Sequence, residues 1–406
     1  MSFVEKRNEI RPDSGEAPFS LDEVFFSRTD KHGIIQAGNY IFRRVAHYEW
    51  SEMIGAPHKL IRHPDMPRGV FWLLWDRIQK GEPIGAYVKN KSSDGLHYWV
   101  FAVVLPNEGG YLSARIKPTS PMFDMVRSEY ASLLQLEKDE NLSPADSAAL
   151  LLDRIQSQGY DNYRDFESMA LCSELTQKDA TLKHAPNYRL KALRDMLTAS
   201  EKLRVETQGL TADFHSMRTI PHNLRVIASR LEATGGPITT LSQNYGIMSR
   251  DMSDWFEKNV VGEKGNFAAI RTRVQSSLFT EGMLEILKTC DRQLVTERRR
   301  LGEVDLDAER AILQKIVADY GQRSADSIET VQREAARIQD ACVRLERHVL
   351  GLSTTRVMCK IEGARLPRSG ESLRDIIGQL KNFQDKVQSR LERISQLSDQ
   401  IRDGTG

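Results

Sequence analysis

Residues 86–105 read AYVKNKSSDGLHYWVFAVVL, and this stretch decides the fold. Residues 86–91 make one strand, Ser92-Ser93-Asp94-Gly95 a hairpin turn, and residues 97–105 the partner strand. Asp-Gly favours such a hairpin because its backbone tolerates positive φ. Toward the C-terminus, Gly109-Gly110 turns the chain into a further strand at 111–117. Toward the N-terminus, a helix starts near Pro67 and carries Val70, Phe71, Leu74 and Ile78 on one face. Short helical pieces fill 39–54. Before them Asp30-Lys31-His32-Gly33 turns between two short strands at 24–27 and 34–37. Two strands, a helical crossover and a three-strand meander predict an α+β domain on a five-stranded antiparallel sheet.

After Pro118 and Pro121 the pattern changes to almost only helix. A segment of short helices, 121–185, precedes a region of apolar heptads. Leu210, Phe214, Met217, Leu224, Ile227 and Leu231 step by three and four, with a kink expected at Pro221. Ile238, Leu241, Tyr245, Met248, Met252 and Trp255 do the same. So do Ile328, Val331, Ala335, Ile338, Cys342, Leu345, Val349 and Leu352, and finally Leu373 through Ile401. A 3.5-residue period favours helices packed side by side, here a long four-helix bundle or coiled coil. A weak internal repeat aligns Arg230–Gly235 with Arg365–Gly370 and places hairpin turns near 234–237 and 366–371. The expected organisation is a tail at 1–19, the sheet domain at 20–120, a helical linker at 121–185 and the bundle at 186–402. The heptads leave open whether the bundle closes within one chain or across a homodimer.

Composition narrows the function. The 406 residues carry 57 Lys and Arg against 56 Asp and Glu, a net charge of +1, so nothing drives the whole chain to nucleic acid. Arg298-Arg299-Arg300 sits among acids and reads as a solvated helix face. The N-terminus is charged and lacks the apolar core of a signal peptide. No apolar run approaches the ~20 residues of a membrane span. Cys172, Cys290, Cys342 and Cys359 lie far apart, as in a reducing cytoplasm. There is no P-loop, GxSxG or HExxH, and no Gly-rich nucleotide lid follows His222 or His348. An enzyme is not expected.

The segment GAPHKLIRHPDMP at 55–67 carries the chemistry. Arg62 offers a planar fork suited to phosphate, and His63 can donate to phosphate or stack on a ring. Asp65 can cap the helix that Pro67 opens or accept from a ribose hydroxyl. This run resembles the PAS domain of bacterial aerotaxis receptors, whose pattern is GxPHxxxRHPDMP, then KGEPW-G-VKN, then DGxxYWV. The chain has Lys80-Gly81-Glu82-Pro83, Val88-Lys89-Asn90 and Asp94-Gly95-Leu96-His97-Tyr98-Trp99-Val100 in the same order. The likeness runs from about Phe25 to Pro118.

The resemblance implies a five-stranded PAS fold holding FAD without a covalent bond. It also implies that the flavin's redox state reports oxygen or electron-transport status. The positions matching the flavin-contact region are Arg62, His63, Asp65, Asn39 and Asn90. Ile84 stands where the family has Trp, which keeps a pocket wall apolar but loses a ring and an N–H donor. A haem would need an axial histidine, with His58, His63 and His97 as candidates, and no spacing marks one. Residues 220–233 are loosely similar to the tip of a chemoreceptor hairpin. The expected function is a cytoplasmic redox or oxygen sensor signalling to a chemotaxis-type protein partner. In that scheme a flavin redox change alters hydrogen bonding near Asn90 and biases the helices after Pro118. The alternative is a cofactor-free PAS docking module on a structural bundle.

Overall fold

The computed structural model describes residues 11–231, 236–258, 266–297, 304–365 and 370–404. The expected turns near 234–237 and 366–371 fall largely outside these residues. So do most of the repeat's matching glycine turns and the Arg298–Arg300 run. The chain divides into two units. One comprises Met1–Lys191 with Gln275–Ala325; the other comprises Ala192–Val274 with Asp326–Gly406.

In the first unit the strands are β1 (Phe25–Asp30), β2 (Ile35–Gly38), β3 (Ile84–Lys91), β4 (His97–Asn107) and β5 (Gly110–Ile116). They form one antiparallel sheet in the order β2-β1-β5-β4-β3. Between β2 and β3 come α1 (Tyr40–Ala46), α2 (Trp50–Met53), a 3-10 turn (His58–Ile61) and α3 (Arg68–Gln79). Asn39 opens α1, its side-chain oxygen accepting from the Phe42 N–H, and α3 buries Val70, Leu74 and Ile78 as its periodicity requires. Asp65 does not cap α3. Pro67 holds the capping position with no side-chain bond, and Asp65 turns to Lys89 instead.

The stretch 121–185 forms α4 (Pro121–Asp139), α5 (Pro144–Ser157) and α6 (Tyr163–Leu182), all within the first unit. Both faces of the sheet are covered, which accounts for the unbroken apolar run in β4. One face looks toward α3. On the other, the Tyr87 hydroxyl donates to Glu174 of α6, and Gly85 lies against Phe279. A Cβ at Gly85 would sit 2.8 Å from the Phe279 ring and 2.9 Å from Phe101, so glycine is needed there. β3 is an edge strand whose outer backbone groups need partners. At Gly85, α6 supplies them: the N–H donates to Glu167 (2.8 Å), and the Tyr163 hydroxyl donates to the carbonyl (2.9 Å). Glu174 also accepts from Thr119 N, Ser120 N and Ser120 Oγ, at 2.6–2.9 Å, tying α6 to the start of α4.

The helical region continues as α7 (Tyr188–Met217), α8 (Thr219–Leu231), α9 (Pro237–Phe256), α10 (Asn266–Thr296), α11 (Leu306–Ala364) and α12 (Gly370–Asp403). Residues of α10 and α11 are divided between the two units: 275–325 belong with the sheet, the remainder with the second unit. The break at Arg218 sits where Pro221 cannot bond back to the Met217 carbonyl. Within the second unit most heptad residues form the core, whereas Ile227, Met248, Trp255 and Ile328 are only partly buried and Phe256 takes the inward place beside Trp255. Leu210, Phe214, Leu224, Tyr245, Val331, Ile338, Leu345, Leu352, Leu380, Val387 and Leu391 are all buried. Phe214 packs on Phe256 and Phe383, and Arg390 of α12 pairs with Glu206 and Asp213 of α7 at 2.7 Å each. These heptads therefore pack on one another within one chain. Among the described residues no helix is long and apolar enough to cross a membrane.

Candidate functional site

Between the sheet and α3 lies a cavity of about 330 Å3. Alternation along the strands aims Val88 and Asn90 of β3, and Ala102 and Val104 of β4, into it. Phe71, Leu74, Trp75 and Ile78 of α3 form the opposite wall. Apolar surfaces facing each other across a slot suit a flat, mostly apolar ligand.

Three polar groups interrupt these walls. Asn90 Nδ2, Ser113 Oγ and Arg115 Nη1 are buried, line the cavity and have no hydrogen-bond partner. Buried polar groups are nearly always paired, so orphaned ones at a cavity mark where a ligand or water bonds. Arg115 lies opposite Ala102, and Ala102 opposite Ala86, so Asn90 is two strands over and four residues along from Arg115. Strand spacing puts their Cα atoms about 16 Å apart. The polar groups thus stand toward opposite ends of the slot and call for an elongated ligand with acceptors at both ends.

Arg115 is only 3% exposed and pairs with no carboxylate among the described residues. One of its nitrogens donates to Ser27 Oγ (2.7 Å) and His58 Nε2 (2.6 Å), so His58 is neutral with Nε2 accepting. Burial and the neighbouring guanidinium push His58 down to about 3, and burial pushes Arg115 down to about 10.

The expected site residues divide. Asn90 faces the cavity. Arg62 lines it, stacks its guanidinium 3.9 Å above the Phe71 ring and bridges by backbone to Asn90. His63 and Asp65 are not in the wall. His63 Nδ1 accepts from the Asp65 N–H (3.0 Å), and Lys89 donates to the Asp65 carboxylate (2.9 Å), which lowers that carboxyl. His63 is itself lowered by burial and by Lys89. His63 belongs to the rim, where it joins Lys59, Arg62, Arg68, Lys91 and Lys138 along an open groove with Glu137 as its one carboxylate; Asp65 lines neither cavity nor groove. Pro57, Lys59 and Arg62 border cavity and groove alike.

Asn39, expected at the cofactor, lies elsewhere. It is wholly buried, accepts from Phe26 N and Phe42 N, and donates to the Val24 carbonyl. Ile84 is buried on the cavity-side face of β3 but is not a wall residue. His58 is in the wall, with Nε2 taken by Arg115; His97 meets His63 edge-on outside it. Ser113 and Arg115 carry no local sequence mark of a site. Their signal is two polar side chains at inward positions of an otherwise apolar strand, which becomes visible once the inward face of β5 is known.

No family model matches the chain. It is 38% identical over 121 residues to the aerotaxis receptor of Escherichia coli (strain K12), covering 29% of this chain and 24% of that one. The chain thus spans about a quarter of the length of that relative. Among solved structures it is similar to the LOV domain of the Erythrobacter litoralis EL346 blue-light activated histidine kinase. That likeness is 15% identity over 23% of this chain and 90% of that one, with a TM-score of 0.21. It is also similar to the light-state LOV domain of the photoreceptor Aureochrome1, at 16% identity over 34% and 99% of the two chains, TM-score 0.22. The sheet with its short helices is a PAS domain similar in sequence to that of an aerotaxis-type receptor, followed by a long helical region.

Proposed function

We propose that the PAS domain is a redox or oxygen sensor holding FAD, and that the helical region passes its state to a signalling protein partner without enzymatic activity. The observation that carries this is the set of orphaned polar groups, Asn90 Nδ2, Ser113 Oγ and Arg115 Nη1, in an otherwise apolar slot. A bound flavin supplies reversible electron uptake. Asn90 can both donate and accept at its pyrimidine edge. Arg115 holds a fixed positive charge at the other end, and Phe71, Leu74 and Val88 exclude water from the ring. The cavity is at the small end of ligand pockets, enough for the ring system alone. The rest of a dinucleotide would pass the rim, where Arg62, Arg68 and Lys91 can hold its diphosphate. Four buried free cysteines support a reducing cytoplasmic setting.

The test is the absorbance spectrum of the purified chain before and after dithionite. Flavin bands that bleach are expected, and Asn90→Leu should weaken FAD retention about tenfold or more. A chain that stays colourless after incubation with FAD overturns the proposal and leaves a cofactor-free docking module. A Soret band would assign the cavity to haem.

A further inference from the structure

The first unit connects its cavity to a helix that is distant in sequence. Phe42 is fully buried and stands behind the cavity wall. The His58 ring stacks on it at 6.0 Å and 12°, and the Arg115 guanidinium lies 5.1 Å above it. Phe42 is in the first turn of α1, where its N–H bonds to Asn39. The same turn receives a second cap from outside the sheet domain's own sequence. Glu297, just after α10, accepts from the Tyr40 N–H at 2.7 Å and from Asn39 Nδ2 at 3.4 Å. One turn earlier, Gln293 grips the β1 entry twice: Val24 N donates to its Oε1 (2.8 Å), and its Nε2 donates to the Val24 carbonyl (2.9 Å). Gln293 Nε2 also bonds Glu297 at 2.6 Å. A carboxylate at a helix N-terminus is held by the free N–H groups and the helix dipole. A shift of α1 therefore changes the bonds that seat the end of α10.

We infer that the state of the cavity leaves the PAS domain through His58 and Arg115 to Phe42, then through the N-terminus of α1 to Glu297 and α10, rather than only along the chain at Pro118. This rests on the sensor reading for what the signal is, but not for the existence of the route. Every step is a packed or hydrogen-bonded contact within the first unit. α10 is one continuous helix that also carries residues of the second unit, so it joins sensor and bundle covalently.

The test reads amide hydrogen exchange in the full chain, first without ligand. His58→Gln removes the ring from Phe42 while leaving an oxygen for Arg115. It should speed exchange over 280–296 about tenfold and leave 121–139 within about twofold. In a Glu297→Ala background the same His58→Gln change should leave 280–296 unaltered. A response over 121–139 alone, or one at 280–296 that persists without Glu297, overturns the route. Tryptophan emission checks folding, and if His58→Gln unfolds the domain, Phe42→Leu replaces it with the same expectation. A second arm compares FAD-loaded chain before and after dithionite. If FAD does not bind, the sensor reading fails while the first arm still decides the route.

Discussion

Replacing Arg115 by Met should separate ligand binding from folding, because the two effects have opposite signs. Arg115 is a buried cation with no carboxylate partner among the described residues, and burial lowers it to about 10. Its proton is bound more tightly in the unfolded chain, so the cost to folding is present in full at every pH below about 10 and falls away above it. That difference is worth about 3 kcal/mol at neutral pH. Met removes the charge at similar length, but the hydrogen bonds to Ser27 Oγ and His58 Nε2 go with it, at about 1 kcal/mol each. The balance is a fold about 1 kcal/mol more stable, with a cavity that has lost its charge. The assay is urea unfolding followed by tryptophan emission, which reports mainly the PAS domain because Trp50, Trp72, Trp75 and Trp99 all lie in it. With a slope of about 2 kcal/mol per M the midpoint should rise by about 0.5 M, while FAD retention falls at least tenfold. Arg28→Met is the matched control. Arg28 makes a forked pair with Glu309, whose side chain is 5% exposed, so this change strands a carboxylate and should lower the midpoint by about 1 M. A midpoint for Arg115→Met that falls by 1 M or more would make Arg115 a structural strut and refute the reasoning.

Asn39→Ala should cost about 2–4 kcal/mol in the same unfolding assay, since it removes a helix cap and strands the Phe26 N–H, while the Val24 carbonyl keeps Gln293 as its donor; loss of FAD without destabilisation would mean a ligand contact instead. His58 is held neutral down to about 3, so the unfolded chain takes up a proton that the fold refuses, and stability drains away as pH falls from 6.5 toward 3. His58→Gln should therefore shift the acid-unfolding midpoint to lower pH, and an unchanged midpoint would show that the ring is not buried neutral. Glu167 and Glu297 pull the other way: burial holds both at about 7, so their carboxyls favour the fold most below 4.5 and lose that contribution as pH rises to 7. Gly209→Val in α7 should destabilise the second unit by about 1–3 kcal/mol, read as a lower thermal midpoint by far-UV circular dichroism, because its side chain would collide with the Arg390 guanidinium fixed by Glu206 and Asp213.

The legible part of the site was the part written in local chemistry. Asn90 stands out because a polar amide interrupts a strand of β-formers, and Arg62 because it lies in a dense charged loop. Asp65 and Asn39 look alike in sequence, as short polar residues beside a helix start, and only their surroundings tell them apart. Asn39 caps α1 with all its bonds inside the fold; Asp65 is drawn off its helix by Lys89 on the neighbouring strand. Ser113 and Arg115 could not be assigned before the register of β5 against β4 was fixed, since a shift of one residue turns both to the opposite face.

The same division holds for the whole chain. Periodicity alone determined the five strands, the Asp-Gly hairpin, the helix after Pro67 and the heptad faces, because each depends on neighbours within a turn or two. Tertiary structure alone decided what covers the sheet. Tyr163, Glu167 and Glu174 of α6, and Gln293 and Glu297 from beyond residue 290, supply partners to backbone groups of the sheet domain that local sequence leaves unsatisfied. Such pairings join residues up to 269 positions apart, and no local pattern encodes them. They are set by which buried N–H and C=O groups remain without partners once the local elements have formed.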